Sequence, residues 1–192
     1  MASLSSRFRD ITRIARTVAT GMVIGVSSKN QTLFVNALKK SIGVDVSSIL
    51  EQGGLADIIE SKIGENVALI QSIPDEYFKK LITIVNENTT RGSNAGGILK
   101  EIQELGKVTK KRARVIARDQ TQKVNAAIAQ QRQTSLGIEK YEWQTADDDR
   151  VRPTHNANDG KVFRWDTPPK ITGHPGEDIS CRCVAIPIIE VE

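Results

Sequence analysis

Apolar residues recur every three or four positions from Ser6 to about Thr134, and at Gly137 that rhythm gives way to alternation. The chain is thereby limited to a helical N-terminal part, 1–136, joined to a small β-containing module, 137–192. The fold class expected is α+β, mainly α. Aromatic residues make up only 4% of the chain and its apolar positions are mostly Ile, Val, Leu and Ala, which favours packed helices over a large sandwich or barrel.

Within the helical part, Phe8, Ile11, Ile14, Ala15, Val18, Ala19 and Met22 form the buried side of a first helix. Ser27-Ser28 read as a break before a second helix carrying Leu33, Phe34, Ala37, Leu38 and Ile42, which Gly43 stops. Asp45 caps a short turn through Ile49 and Leu50. A helix with Leu55, Ile58, Ile59, Ile63, Val67 and Ile70 is expected to end before Pro74, which starts the next, with Phe78, Leu81, Ile82 and Val85 as its stripe and Asn88 to Gly92 as its close. Ser93 caps a helix bearing Ile98, Leu99, Ile102 and Leu105 and stopped by Gly106. Thr109 opens the longest helix, to about Thr134, and that helix gathers Lys110, Lys111, Arg114, Arg118 and Lys123. Such a basic run is either a docking face for an acidic protein or DNA, or a solvated helix exterior.

No apolar run approaches the roughly 18 residues of a membrane span. Arg7, Arg9, Arg13 and Arg16 loosely mimic an organellar transit segment, but the same residues suit an amphipathic surface helix. A net charge of +4 is too modest to demand a nucleic-acid partner.

After Gly137, Tyr141, Trp143 and Thr145 alternate with polar residues, and Val162, Phe163 and Trp165 follow an Asp- and Pro-rich loop. The run from Cys183 to Val191 is β-rich, with Pro187 pointing to an edge strand. Both histidines and both cysteines of the chain, His155, His174, Cys181 and Cys183, lie in this module. They are residue types that hold tetrahedral zinc, and a metal staple would order loops that a thin core cannot. The Cys-x-Cys spacing is awkward: same-face strand residues lie roughly 6.6 Å apart, whereas thiolates on one zinc lie about 3.8 Å apart. Both can bind only if the chain bends at Arg182. Otherwise they are small buried thiols, reduced as suits a cytosolic site of synthesis, and the histidines are surface residues.

Asp149, His155 and His174 invite a second reading, a metal-dependent nuclease in which a carboxylate holds a divalent ion and a histidine activates water. Three consecutive acids at Asp147–Asp149 cannot all face one ion, however, and such runs more often cap helices or face solvent. A zinc-stapled DNA-binding module acting through Arg114, Arg118 and Lys123 is a third reading. The sequence contains no G-x-S-x-G, phosphate-cradling glycine loop or H-E-x-x-H. A structural or assembly module rather than an enzyme is expected.

Three ordered blocks carry a family resemblance: Asp148-Asp149-Arg150-Val151-Arg152-Pro153-Thr154-His155; Asp159-Gly160-Lys161-Val162-Phe163-Arg164-Trp165-Asp166 followed by Pro168-Pro169; and Gly173-His174-Pro175-Gly176-Glu177-Asp178-Ile179-Ser180-Cys181-Arg182-Cys183. With Ala113–Thr121, Glu65–Pro74 and, more loosely, Ile42–Val46, they resemble the Mu F-like family of phage head morphogenesis proteins. Asn158 departs from the apolar residue usual before Asp-Gly, and the chain is short beside family members with long N-terminal portions. The resemblance implies a minor head protein of a tailed double-stranded DNA phage or prophage, associated with the portal during assembly in the host cytoplasm and retained in the virion. It implies the portal protein, other capsid proteins and packaged DNA as neighbours, and a low-copy or oligomeric state on the portal. No catalytic residues come with it, and the family's His and Cys positions match His155, His174, Cys181 and Cys183.

Overall fold

The computed structural model describes residues 4–43, 45–50, 54–91 and 95–189. Three long helices dominate it: α1 (Leu4–Ile42), α3 (Leu55–Arg91) and α4 (Ala95–Ser135), with the single turn α2 (Ser47–Leu50) between the first two. A short C-terminal sheet follows, built from β1 (Lys140–Gln144), β2 (Val162–Arg164) and β3 (Val184–Pro187), with the one-turn helix α5 (Pro153–Asn156) between β1 and β2. The mainly helical α+β class expected from the sequence is what forms. No helix among the described residues is long and apolar enough to cross a membrane.

Three interruptions expected from the sequence do not occur. The helix α1 runs through Ser27-Ser28, α3 through Pro74 and α4 through Gly106. Serine in a helix interior costs only a few tenths of a kcal/mol relative to Ala, and glycine about 1 kcal/mol. Ser27 is also buried, with its carbonyl and hydroxyl oxygens accepting from Arg132 Nη2 at 3.2 and 3.3 Å. The cost of Pro74, about 3 kcal/mol for the lost N–H bond and ring clash, is spread over a helix of 37 residues whose Ile63 and Asn66 are buried. Burial along long helices therefore outweighs local breakers. The stops at Gly43 and near Arg91 are as expected, and Asp45 Oδ1 accepts from the Ser47 amide at 3.1 Å and hydroxyl at 2.6 Å to cap α2. Ser93 and Gly92 lie outside the described residues. So do the side chains of Phe8, Ile11, Phe78, Leu81, Ile82, Val85, Ile98, Leu99 and Ile102.

The chain forms two compact units. One comprises Met1–Thr20 and Ile63–Arg118; the other comprises Gly21–Lys62 and Asp119–Glu192 and includes the whole of 137–192. In the first, Ala15, Ala19, Ile63 and Leu105 are buried, Gln71 Nε2 donates to Thr12 Oγ1 at 2.8 Å, and Arg112 pairs with Glu76. In the second, Leu38, Val46 and Leu50 form a cluster flanked by Phe34, Val35, Leu136 and Ile189.

The second unit also carries the sheet, ordered β2-β1-β3 with both pairings antiparallel. Tyr141 and Trp143 of β1 are fully buried while Glu142 and Gln144 face out, the alternation read from the sequence. Pro187 closes β3, which is an edge strand, so its missing N–H removes no ladder bond from the sheet interior. The inner face packs Tyr141, Trp143, Trp165, Cys181 and Cys183 together, with Phe163 and Ala185 at the margin.

Gly137 terminates α4. Its φ is 74°, Ile138 N donates to Gln133 O at 3.0 Å and Gly137 N to Thr134 O at 3.0 Å, the pair of bonds of a glycine-stopped helix end. Gly176, at φ 91°, has a second constraint: a Cβ there would stand 2.5 Å from Ala126 Cβ on α4. Among the described residues, nothing lies within 4 Å of that position at Gly137. Gly137→Ala should therefore lose only the left-handed conformational cost of about 1–2 kcal/mol, and Gly176→Ala that cost plus about 1–3 kcal/mol of overpacking. Urea unfolding of the two variants checks this, and equal losses would contradict the close approach of the Gly176 loop to α4.

Candidate metal centre

His155 sits on α5, which Pro153 opens at its first turn after extended Arg152. The short helix aims the ring inward, and His155 is 2% exposed. Its two nitrogens meet different partners. Nε2 lies 2.8 Å from Asp178 Oδ2, while Nδ1 lies 3.5 Å from Cys181 Sγ and 3.5 Å from Cys183 Sγ. A carboxylate on Nε2 holds the proton there and leaves the Nδ1 lone pair directed at the thiols. Trp143 stands edge-on to the ring, centroids 5.5 Å apart at 81°.

The two cysteines are buried and unpaired with each other by any disulfide. They precede β3 rather than lying in it, so the strand spacing that would hold the sulfurs apart does not apply. Ser180 takes φ 55°, and Cys181 Sγ accepts the backbone N–H groups of Gly176 and Cys183, each at 3.4 Å. An N–H of residue Cys183 reaching back to Cys181 needs the tight turn about Arg182 on which the sequence argument depended. The Arg182 guanidinium points the other way, forming a two-pronged pair with Asp148 with one bond of 2.6 Å. Side-chain ligand atoms of His155, Cys181 and Cys183 all fall within 4.8 Å of one another.

The electrostatics follow from this crowding. The Cys181 thiol is pulled down to about 5, chiefly by the hydrogen bond from Cys183, with the two backbone N–H groups and His155 opposing the effect of burial. Cys183 is pushed up, because it donates to Cys181 and is buried. The Trp143 indole N–H acts on Cys183 in the opposite direction, yet Nε1 closes no hydrogen bond among the described residues.

His174, grouped with these residues by type in the sequence, is placed apart from the three. Its Nδ1 lies 2.8 Å from Tyr141 Oη, its backbone N–H donates to Glu177 Oε2 at 2.8 Å, and its ring packs 4.9 Å from Trp165. Burial lowers its pKa, with Glu177 and the Trp165 backbone partly opposing. Burial, then the Glu177 charge, pushes the Tyr141 hydroxyl up, so it stays a donor. Asp149 is exposed and outside the metal-competent group among the described residues. The carboxylate on His155 is Asp178, not a member of the Asp147–Asp149 run.

Of the basic residues on α4, Lys110, Lys111, Arg114 and Arg118 are exposed in the first unit and, at about 100° per residue, share a sector of about 100°. Lys123 belongs to the second unit and is half-buried against Asp119, Nζ to Oδ2 3.0 Å. Asp119 does more than pair with it: Oδ1 accepts the Ser180 N–H at 2.7 Å, tying the cysteine loop to α4. Gln133, 1% exposed, completes the attachment, its Nε2 donating to Ala185 O and its Oε1 accepting from Trp165 Nε1, both at 3.1 Å. Asn158 donates to Thr172 Oγ1 at 3.0 Å and Asp159 Oδ1 accepts the Thr145 N–H at 2.7 Å, so the unusual residue before Asp-Gly ties two loops together. Asp119, Gln133 and Asp178 have no signature in the sequence beyond membership, for Asp119 and Asp178, of the blocks already quoted.

Comparison with known proteins bears on this arrangement, since the family model described as Phage Mu protein F like protein matches residues 79–186, from the middle of α3 to β3. The chain belongs to that family. The Mu F-like match covers His155, Asp178, Cys181, Cys183 and the α4 residues that hold them. An uncharacterized protein of Haemophilus influenzae is 38% identical over 182 residues, spanning 94% of this chain and 41% of its own length. The chain therefore spans less than half of that relative. No solved structure matches it.

Asp148 provides a test of how the loops are held. Its carboxyl is kept well below the usual carboxylate range by hydrogen bonds from Arg182 and then Arg150. A depressed folded-state pKa contributes stability that is present above the unfolded value of about 4 and is lost as pH falls through the folded one. Asp148→Asn should be less stable than the wild type at pH 7, and the gap should narrow steadily in acid below about pH 4. Denaturant unfolding at several pH values would show this; a gap independent of pH would contradict it.

Proposed function

We propose that this Mu F-like protein is a structural component of phage head morphogenesis, a minor head protein that docks at the portal vertex, influences DNA packaging or delivery and is retained in the virion. The family membership over residues 79–186 carries the reading. Exposed Lys110, Lys111, Arg114 and Arg118 on one sector of α4 supply the contact chemistry: a cationic strip suits an acidic protein ring or packaged DNA and speeds encounter with either. The compact module of 137–192, anchored through Gln133 and Asp119, supports the role of a rigid contact unit. The host cytoplasm is the compartment of assembly in this reading, with the protein in low copy or oligomeric on the portal.

The nuclease alternative gains no support from the geometry, because Asp149 is exposed and His155 is buried against Asp178. Co-expression of the chain with the portal protein of the same phage should yield a complex that survives size-exclusion chromatography. A Lys110→Glu, Arg114→Glu, Arg118→Glu variant should associate at least about tenfold more slowly at low salt and with a flatter salt dependence. Absence of the protein from purified virions, together with no portal complex, would overturn the proposal.

A further inference from the structure

The geometry points to a mononuclear soft-metal site, of the zinc class, ligated by His155 Nδ1, Cys181 Sγ and Cys183 Sγ, with Asp178 as the outer carboxylate on His155 Nε2 and with His174 outside the ligand set. It rests on different observations from the proposed function and stands or falls separately. Zinc bonds of about 2.3 Å to sulfur and 2.0–2.1 Å to nitrogen, at the tetrahedral angle, put nitrogen and sulfur about 3.6 Å apart. His155 Nδ1 stands 3.5 Å from each sulfur. Equal approach of two thiols to one imidazole nitrogen is what a shared ion requires and what a single hydrogen bond does not produce.

Four further features belong to such a site. The carboxylate on the far ring nitrogen, at 2.8 Å, is the usual orienting partner of a metal-bound histidine and raises its basicity. Backbone N–H groups of Gly176 and Cys183 point at Cys181 Sγ, as suits a sulfur that carries negative charge. The Trp143 indole N–H, on a ring that stands edge-on to His155, is buried with no hydrogen-bond partner among the described residues, an unmet donor at the edge of the cluster. Soft sulfur donors with one imidazole select zinc over magnesium or calcium.

The same residues in the order thiol, imidazole, carboxylate also describe a nucleophilic cysteine. Two observations favour the metal. Cys181 is 3% exposed and His155 2%, which leaves a substrate no approach to the sulfur, and the second thiol has no task in a triad. His174 is excluded because its Nδ1 is engaged by Tyr141 and its ring is packed against Trp165. Three protein ligands leave one coordination position for water or another small donor.

Full-length protein, expressed with zinc supplied and purified without chelator, should carry one zinc per chain by elemental analysis. His155→Ala, Cys181→Ser and Cys183→Ser should each lose it, His174→Ala should keep it, and Asp178→Asn should bind zinc about 10- to 100-fold more weakly. Because the ligand variants can misfold, the wild-type chain is also stripped with chelator and titrated with Co2+ alone. Thiolate-to-cobalt charge transfer with the intense visible bands of tetrahedral cobalt is expected, displaced by one equivalent of Zn2+. No zinc in the purified protein and no charge-transfer band on cobalt addition would overturn the site. Loss of zinc from His174→Ala as complete as from His155→Ala, in a chain that still folds, would overturn the three-ligand assignment. Rapid alkylation of one cysteine, unaffected by Zn2+, would favour the nucleophile instead.

Discussion

Three short strands cannot bury enough apolar surface to fix the long loops that join them, and this shortage shapes everything after Gly137. The strands contribute five, three and four residues. Between them run α5 and two stretches of turns whose backbone needs external partners. Buried polar contacts supply those partners. Gln133 satisfies the Trp165 indole and the Ala185 carbonyl at once, Asp119 takes the Ser180 amide, and Asp148 clamps Arg182 between the two cysteines. Leaving the buried Gln133 or Asp119 contacts unmade costs about 1–3 kcal/mol, more than a formed bond contributes. The helix α4 is thus both the last element of the helical part and the floor on which the module is built.

The same shortage explains why His155, Cys181 and Cys183 are brought together at the centre of the module rather than at its surface. The aromatic cluster of Tyr141, Trp143 and Trp165 fills one side of the sheet, and the cysteines fill its remaining volume as small apolar groups. Their sulfurs end beside an imidazole whose orientation Asp178 sets from outside. Tyr141 and His174 form a separate buried pair, in which a neutral hydroxyl and a histidine disfavoured in its charged form satisfy each other. Residues of one chemical type therefore divide between two structural tasks.

Much of this was legible in the amino-acid sequence. The change from helical spacing to alternation marked where helix gives way to the C-terminal sheet, the burial of Tyr141 and Trp143 against exposed Glu142 and Gln144 followed from period two, and Pro187 marked an edge. Residue type singled out His155, His174, Cys181 and Cys183, of which the fold brings His155, Cys181 and Cys183 within 4.8 Å of one another. The failures have a common origin in length. Ser27-Ser28, Pro74 and Gly106 are local breakers worth between a few tenths and about 3 kcal/mol, and each lies inside a helix of 37 to 41 residues. The exclusion of His174 from the cluster, and the engagement of Asp119, Gln133 and Asp178, depend on contacts between segments far apart in sequence, such as Asp119 with Ser180 and Gln133 with Ala185. Periodicity and spacing carry no information about such pairs.

The central claim is that the cysteine loop is held by His155 and a shared ion, and not by packing alone. Amide hydrogen exchange of the full chain, compared before and after stripping with chelator, tests it most directly. Protection at Gly176, Cys181 and Cys183 should fall on stripping and return with one equivalent of Zn2+, while the α4 amides around Val124 and Ile128 stay protected. Exchange in the cysteine loop that is the same with and without the metal would contradict the account.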